Sequence, residues 1–154
     1  MHGATAREAF KLPPVSAEEK AAVALARTVA RMVLQGEQLL RAHGLTATQY
    51  NALRIINGAG PDGVCGTQVR DRLIANVPDV TRLLDRLEEA GLIARERNAE
   101  NRRFVTARIT PAGQRRLEET APKMSELHQQ QFARFTQAQI RTLLELLKLT
   151  HVDP

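Results

Sequence analysis

Val80-Thr81-Arg82-Leu83-Leu84-Asp85-Arg86-Leu87 carries the pattern that decides the fold. Its four apolar residues recur at the spacing of one helix face, which predicts an amphipathic helix with a buried stripe. Pro78 stands just before it, where a first-turn proline loses no helical hydrogen bond, and Asp79 adds a favourable charge at the same end. Gly91 is the residue expected to end the helix.

The opposite face of this predicted helix is polar and basic. It exposes Thr81, Arg82 and Arg86, and the two arginines lie on one side because they are four residues apart. That spacing suits phosphates or a guanine edge in the major groove. A merely solvated helix is the alternative, since Asp85 and the Glu88-Glu89 pair could neutralise the arginines.

Two helices are predicted upstream. The capping box Thr46-Ala47-Thr48-Gln49 opens one helix, which ends in the glycine-rich turn 58–63. A short helix follows from Thr67 to Leu73, and Ile74-Ala75-Asn76 indicates a turn. Helix, short helix, turn and helix is the order found in a helix-turn-helix unit.

After Gly91 the apolar period changes from helical to two. Residues 92–97 and 102–109 are predicted strands of a hairpin with the polar tip 98–101. Four basic residues cluster around this tip: Arg95, Arg97, Arg102 and Arg103. An arginine on a thin ribbon suits a narrow minor groove, although a sheet edge kept soluble by charge is the alternative. The order of the elements, with arginines on both that would touch DNA, favours a winged helix-turn-helix.

Long helices flank this core. One is predicted from Ala17 to about His43, after a capping box at Ser16, and a second begins at Thr110-Pro111 and continues to about Phe132. Pro122 predicts a kink or a break in that second helix. A third helix follows the capping box at Thr136.

The flanking helices carry apolar stripes that so small a core has little room to bury. The stripe residues are Ala22, Val29 and Val33 on the first helix, and Ile140, Leu143, Leu144 and Leu147 on the last. An intrachain bundle and packing against a second copy would both cover them, and the residues alone leave both open. The fold class is mainly α (α+β). The expected segments are an irregular arm 1–15, a first helix 16–45, a winged helix-turn-helix 46–110 and C-terminal helices 111–154.

Composition narrows the function classes. The chain has 154 residues, a net charge of +5 and no apolar run approaching the ~20 residues that span a bilayer. Without a secretory h-region after Met1, we expect a cytoplasmic protein with no membrane partner. The four histidines show no ligand spacing, so no metal or other cofactor is expected. No nucleophile–base motif points to an enzyme. The single cysteine, Cys65, falls in the predicted loop before the short helix and is expected to be inert.

Residues 67–113 resemble the multiple-antibiotic-resistance regulator (MarR) family of winged-helix transcription factors. The likeness rests on the stretch 80–88 with Gly91-Leu92-Ile93, and on Asn101-Arg102-Arg103 leading into Ile109-Thr110-Pro111-Ala112-Gly113. The segment around Gln49-Tyr50-Asn51-Ala52-Leu53 resembles the second helix of the family. The likeness extends over the chain from about residue 20.

The resemblance implies roles for individual residues. Thr81, Arg82 and Arg86 would contact the major groove and its phosphates, and Arg103 would be the minor-groove arginine of the wing. The family usually has an aspartate where this chain has Asn101, which can still accept a hydrogen bond to support the wing but loses the charge-assisted part.

The resemblance also implies partners. It implies a two-fold homodimer built from the terminal helices, and hence a roughly palindromic double-stranded operator with half-sites about 34 Å apart. It further implies release of DNA on binding a small aromatic, often phenolic, anion near Thr81, Arg95, His43 and Tyr50. A sequence-specific repressor is the function so indicated. The alternative is a winged-helix module that binds another protein and never DNA.

Overall fold

The computed structural model describes residues 14–97 and 105–150. The described residues divide into two compact units between Val33 and Leu34, within the first helix. The wing residues Asn101, Arg102 and Arg103 lie outside the described residues, as does the predicted arm up to residue 13.

Helices dominate the described part of the chain. The helices are α1 (Ala17–Ala42), α2 (Ala47–Gly58), α3 (Gly66–Arg72), α4 (Val80–Glu89), α5 (Pro111–Gln131) and α6 (Gln137–Lys148). The strands are β1 (Val64–Cys65), β2 (Ile93–Arg97) and β3 (Val105–Ile109), and a single 3-10 turn spans Gly60–Asp62. The mainly helical winged helix-turn-helix fold predicted from the sequence is confirmed.

Local capping explains where the helices begin. The Thr46 and Thr136 side chains each accept from the backbone three residues on, and the glutamine there returns a bond to the cap backbone, so both predicted capping boxes are present. Before α1, the backbone N–H of Glu19 donates to Ser16 Oγ at 3.1 Å. The break considered at Pro122 does not occur, because α5 continues through it as one helix. One missing backbone donor is tolerated where the flanking turns keep their own hydrogen bonds.

The sheet is antiparallel in the order β1-β3-β2. The hairpin pairs Ile93 with Ile109 and Arg97 with Val105 at its two described ends. The sequence pattern missed β1, and the predicted loop at Cys65 is therefore wrong, since Cys65 pairs with Thr106. A two-residue strand is too short to show a period, and its partner lies some forty residues later in the chain.

The core of the second unit is formed by α2, α3, α4 and the sheet, closed by Leu40 of α1 and by α5. Leu53, Ile56 and Leu87 are fully buried at its centre, and Ala107 is the buried residue of β3. This core packs α4 and the base of the hairpin against the same buried residues.

In the first unit, the α1 residues are exposed in the single chain except Met32, which is partly buried. Among the described residues, no helix combines the length and the apolar character needed to cross a membrane. No three potential metal ligands come together within the same described ranges.

Candidate nucleic-acid interface

The position of α4 is set by its leucines and by its N-cap. Leu83, Leu84 and Leu87 point into the core with at most 8 % of their surface exposed. The Asp79 carboxylate accepts from the backbone N–H of Arg82 at 2.9 Å, which satisfies one free amide of the helix start. Asp79 therefore caps the helix. Because the leucines face the core, the opposite face of α4 is exposed to solvent.

A side chain from α2 holds the turn between α3 and α4. Asn51 Oδ1 accepts from the backbone N–H of Ile74 at 2.9 Å, 23 residues away in sequence. Val69 is fully buried and anchors α3 beside this turn. Sequence reasoning did not find the role of Asn51, because no local pattern marks a bond between a helix and a distant turn.

The solvent face of α4 carries the residues predicted to contact DNA. Thr81, Arg82 and Arg86 are all exposed. Within residues 14–97 and 105–150, neither guanidinium has a hydrogen-bond or ion-pair partner. Both arginines line an open cavity of about 360 Å³, which also includes Pro78 of the turn and Gln49 from the start of α2. Two unpaired guanidinium groups at the rim of a cleft can bind phosphate oxygens.

Two of the three acidic residues of α4, Asp85 and Glu88, are bound by a strand residue. Arg95 of β2 lies between them, with Nη2 at 2.5 Å from Asp85 Oδ1 and at 2.7 Å from Glu88 Oε2. The hydrogen bond from Arg95 holds the pKa of the Glu88 carboxyl below its usual value, and the same bond raises the pKa of the guanidinium. The predicted alternative, in which these acids neutralise Arg82 and Arg86, is not what the structure contains.

The hairpin extends beside α4. Arg97 is exposed at the last described position of β2. Arg108 of β3 donates to Glu96 at 2.5 Å and to the carbonyl oxygen of Pro61 at 2.7 Å, which joins the two strands to the turn before β1. The hairpin is therefore anchored at its base. Its tip, with Asn101, Arg102 and Arg103, lies outside the described residues.

The junction from the wing to α5 depends on a close backbone approach. Thr110 Oγ1 donates to the carbonyl oxygen of Gly91 at 2.7 Å and accepts from the N–H of Gly113 at 3.1 Å. The N–H of Thr110 donates to the carbonyl oxygen of Leu92 at 3.1 Å. A Cβ on Gly113 would overlap that same oxygen, so only glycine fits at this point of α5.

Comparisons with known proteins agree with this geometry. The model of the MarR family matches residues 43–103. A MarR transcription factor of known structure from Planctomyces limnophilus is 34% identical, with a TM-score of 0.68 over 88% of this chain and 98% of that one. This chain belongs to the MarR family.

Two further relatives indicate what members of the family do. The HTH-type transcriptional repressor IacR of Pseudomonas putida is 28% identical over 125 residues, which are 81% of this chain and 74% of IacR. BpsR of Bordetella bronchiseptica, whose DNA binding is regulated by 6-hydroxynicotinic acid, is 25% identical, with a TM-score of 0.80 over 92% of this chain and all of BpsR. MarR proteins are transcription regulators and not enzymes, and this MarR protein is a DNA-binding regulator.

The four residues that the sequence suggested for an effector site lie on separate elements of this MarR protein. Thr81 is exposed on α4, and Arg95 is engaged by two carboxylates. His43 follows α1, with Nε2 at 3.2 Å from Lys123 Nζ of α5. Tyr50 is only 7 % exposed. No hydrogen bond or ion pair joins any two of these four described side chains.

Cys65 caps α3 rather than standing in a loop. Its Sγ lies 3.0 Å from Thr67 Oγ1 and 3.3 Å from Gln68 Oε1. The hydrogen bond with Thr67 is the main cause that lowers the pKa of the thiol below its usual value. The glutamine also accepts from the backbone N–H of Cys65 at 3.2 Å, so the cysteine stands where serine or threonine usually caps a helix.

Proposed function

We propose that this MarR protein is a homodimeric transcriptional repressor that binds a roughly palindromic operator and releases it on binding a small aromatic anion. The repressor role is supported by the similarity to IacR. Family membership favours DNA binding over the alternative of a protein-binding module. We further propose that the protein acts in the cytoplasm, where its operator would lie.

One observation carries the proposed interface: the unpaired guanidinium groups of Arg82 and Arg86 on the solvent face of α4. A helix that enters the major groove needs free donors for base edges and phosphates. Thr81 adds a hydroxyl on the same face, while Pro78 and Asp79 form the leading end of the helix. We assign these five residues to the major groove and its phosphates.

We assign the wing to the adjacent minor groove. Arg97 is exposed on β2 and so is available to a phosphate. For Arg102 and Arg103, and for Asn101 as the support of the wing, the assignment rests on the family resemblance. A narrow A·T-rich minor groove concentrates negative potential and attracts such arginines.

The apolar surfaces of the terminal helices support a homodimer. In the single chain, Val29 and Val33 of α1 are 55 % and 50 % exposed, and Leu144 and Leu146 of α6 are 54 % and 56 % exposed. A second copy that covered these surfaces would remove large apolar side chains from water. We propose that 16–45 and 111–154 are the dimerisation segments, and that 46–110 is the DNA-binding domain. A two-fold dimer then spaces its half-sites about 34 Å apart.

A small aromatic acid is the proposed effector class, which the regulation of BpsR by 6-hydroxynicotinic acid supports. We keep Thr81, Arg95, His43 and Tyr50 as its candidate contacts. Any carboxylate that binds Arg95 must compete with Asp85 and Glu88. Calorimetry with a panel of aromatic carboxylates tests this, and no heat together with unchanged DNA binding would contradict it.

The interface itself is tested by selecting bound DNA from a random pool and measuring affinity by fluorescence anisotropy as salt rises. A DNA reader loses affinity log-linearly through counterion release. Arg86→Gln should lower the slope by about 1.8, because a dimer loses two phosphate contacts at ~0.9 each. Arg115→Gln is the matched control, since it removes an exposed arginine of α5 outside the interface.

A separate variant tests the assignment of the wing to the minor groove. Arg103→Ala should weaken binding most at operators with A·T-rich flanks, whereas Arg86→Gln should weaken binding across sequences. A parent protein that binds no selected DNA, or an Arg86→Gln slope equal to that of the Arg115→Gln control, would refute the assigned interface.

A further inference from the structure

Among the described residues, Arg95 makes the most extensive side-chain contact between α4 and the hairpin strands. Besides its contacts through Nη2, its Nε donates to Glu88 Oε2 at 2.8 Å, and its backbone N–H donates to Glu88 Oε1 at 2.9 Å. Both oxygens of Glu88 are thus used, and Asp85 binds the outer nitrogen. The Arg95 side chain is 21 % exposed, against 44 % for Asp85. Partial burial reduces the solvent screening of these charges.

The position of Asp85 on α4 makes this contact significant. Asp85 is three residues from Arg82 and adjacent to Arg86, and side chains three or four apart on a helix can form an ion pair. Such a pair would occupy a guanidinium that the proposed function needs for a phosphate. It would also leave a negative charge close to the DNA backbone. Neither happens, because Arg95 holds Asp85 against the strand.

We propose that Arg95 is a positioning residue for DNA binding, because it holds the carboxylate of Asp85 away from Arg82, with Glu88 in the same network, and so keeps Arg82 available to phosphate and these two acids of α4 neutralised. This role rests on the proposed function of α4. It is electrostatic: the positive charge of Arg95 acts on two acids of the recognition helix and does not itself contact DNA.

A second ion pair of the same sheet provides a control. Arg108 and Glu96 lie on neighbouring strands and approach to 2.5 Å, so this acid is on β2 and not on α4. Breaking that pair frees a carboxylate that is not on the recognition helix. Removing each arginine in turn therefore separates the loss of an ion pair of the hairpin from the release of the two acids of α4.

The experiment compares operator binding of the parent and its variants at several salt concentrations. Arg95→Gln should weaken binding on the order of tenfold and lower the salt slope, because the freed acids cancel about one phosphate contact per subunit. Arg95→Gln combined with Asp85→Asn and Glu88→Gln should restore both values to near the parent. Arg108→Gln also loosens the base of the hairpin, so it serves as the control for rescue: any loss of affinity that it causes should not be restored by adding Glu96→Gln. Thermal unfolding verifies that each variant is folded at the assay temperature.

Rescue by neutral amides distinguishes charge sequestration from a purely structural contact. If the triple variant binds as weakly as Arg95→Gln, or if Arg95→Gln keeps the affinity and slope of the parent, the proposal is wrong. If Arg95→Gln does not fold, the double variant Asp85→Asn with Glu88→Gln tests the proposal. With Arg95 retained, it should bind the operator at least as tightly as the parent, and weaker binding would contradict the proposal. Failure of the parent to bind DNA would instead refute the proposed function.

Discussion

Gly113→Ala is expected to destabilise this MarR protein strongly, although alanine is usually the better helix former. Gly113 lies in the first turn of α5, and it has no positive φ, so an alanine is allowed there conformationally. The obstacle is steric. An added Cβ would overlap the Leu92 carbonyl oxygen and approach Ile109 Cγ1 to 2.7 Å, well inside the ~3.5 Å of an ordinary contact.

The size of the destabilisation follows from which atoms the added Cβ would displace. The Leu92 oxygen accepts the Thr110 N–H, so its displacement loosens the junction between the wing and α5. Overpacking a buried site costs about 1–3 kcal/mol, and a backbone obstacle places the cost at the upper end. Helix propensity returns only about 0.5–1 kcal/mol. A net loss of about 2 kcal/mol lowers the Tm by roughly 4–8 °C for a chain of this size.

Gly58→Ala is the matched control. Gly58 also has no positive φ and ends α2, but no atom lies within 4 Å of the position of its Cβ. Its alanine variant should gain about 0.5 kcal/mol and raise the Tm by about 1–2 °C. Circular dichroism at one fixed protein concentration measures both, since dimerisation makes the Tm concentration-dependent. A Gly113→Ala protein as stable as the parent, or one that shifts in the same direction as Gly58→Ala, would refute the reasoning.

Two further predictions concern titratable groups. Because Arg95 holds the pKa of Glu88 below 4.5, the ion pair stabilises the fold above that pH and is lost as pH falls through the lower folded value. Glu88→Gln should therefore have a lower Tm than the parent at neutral pH, and the gap should close as the pH falls below 4.5; a constant gap down to about pH 3 would contradict this. Because the hydrogen bond with Thr67 lowers the pKa of the Cys65 thiol, iodoacetamide should alkylate the parent faster than Thr67→Val at neutral pH, as followed by mass spectrometry. Equal rates would show that the bond does not activate the thiol.

Much of the fold was predictable because local rules determine it. The leucine stripe of α4 and the capping boxes at Thr46 and Thr136 are short-range patterns, and each predicted its element to within a few residues. The strand β1 was not predictable in the same way. Its two residues owe their conformation to a partner strand that follows two helices and one strand later.

The same distinction between local and long-range contacts applies to the candidate site. The exposed arginines of α4 were predictable, since helix periodicity states which residues share a face. Whether Arg82 was free was not predictable, because Asp85 lies three residues from it on the helix and could form an ion pair with it. Arg95 instead binds Asp85 and Glu88, through four contacts. It does so from a partly buried strand position, where a charge pair is screened less than on the open helix surface. Arg95 lies seven and ten residues from its acids, so no local sequence pattern marks the contact. The positioning role proposed for Arg95 therefore becomes apparent only in the folded structure, where the hairpin packs against α4.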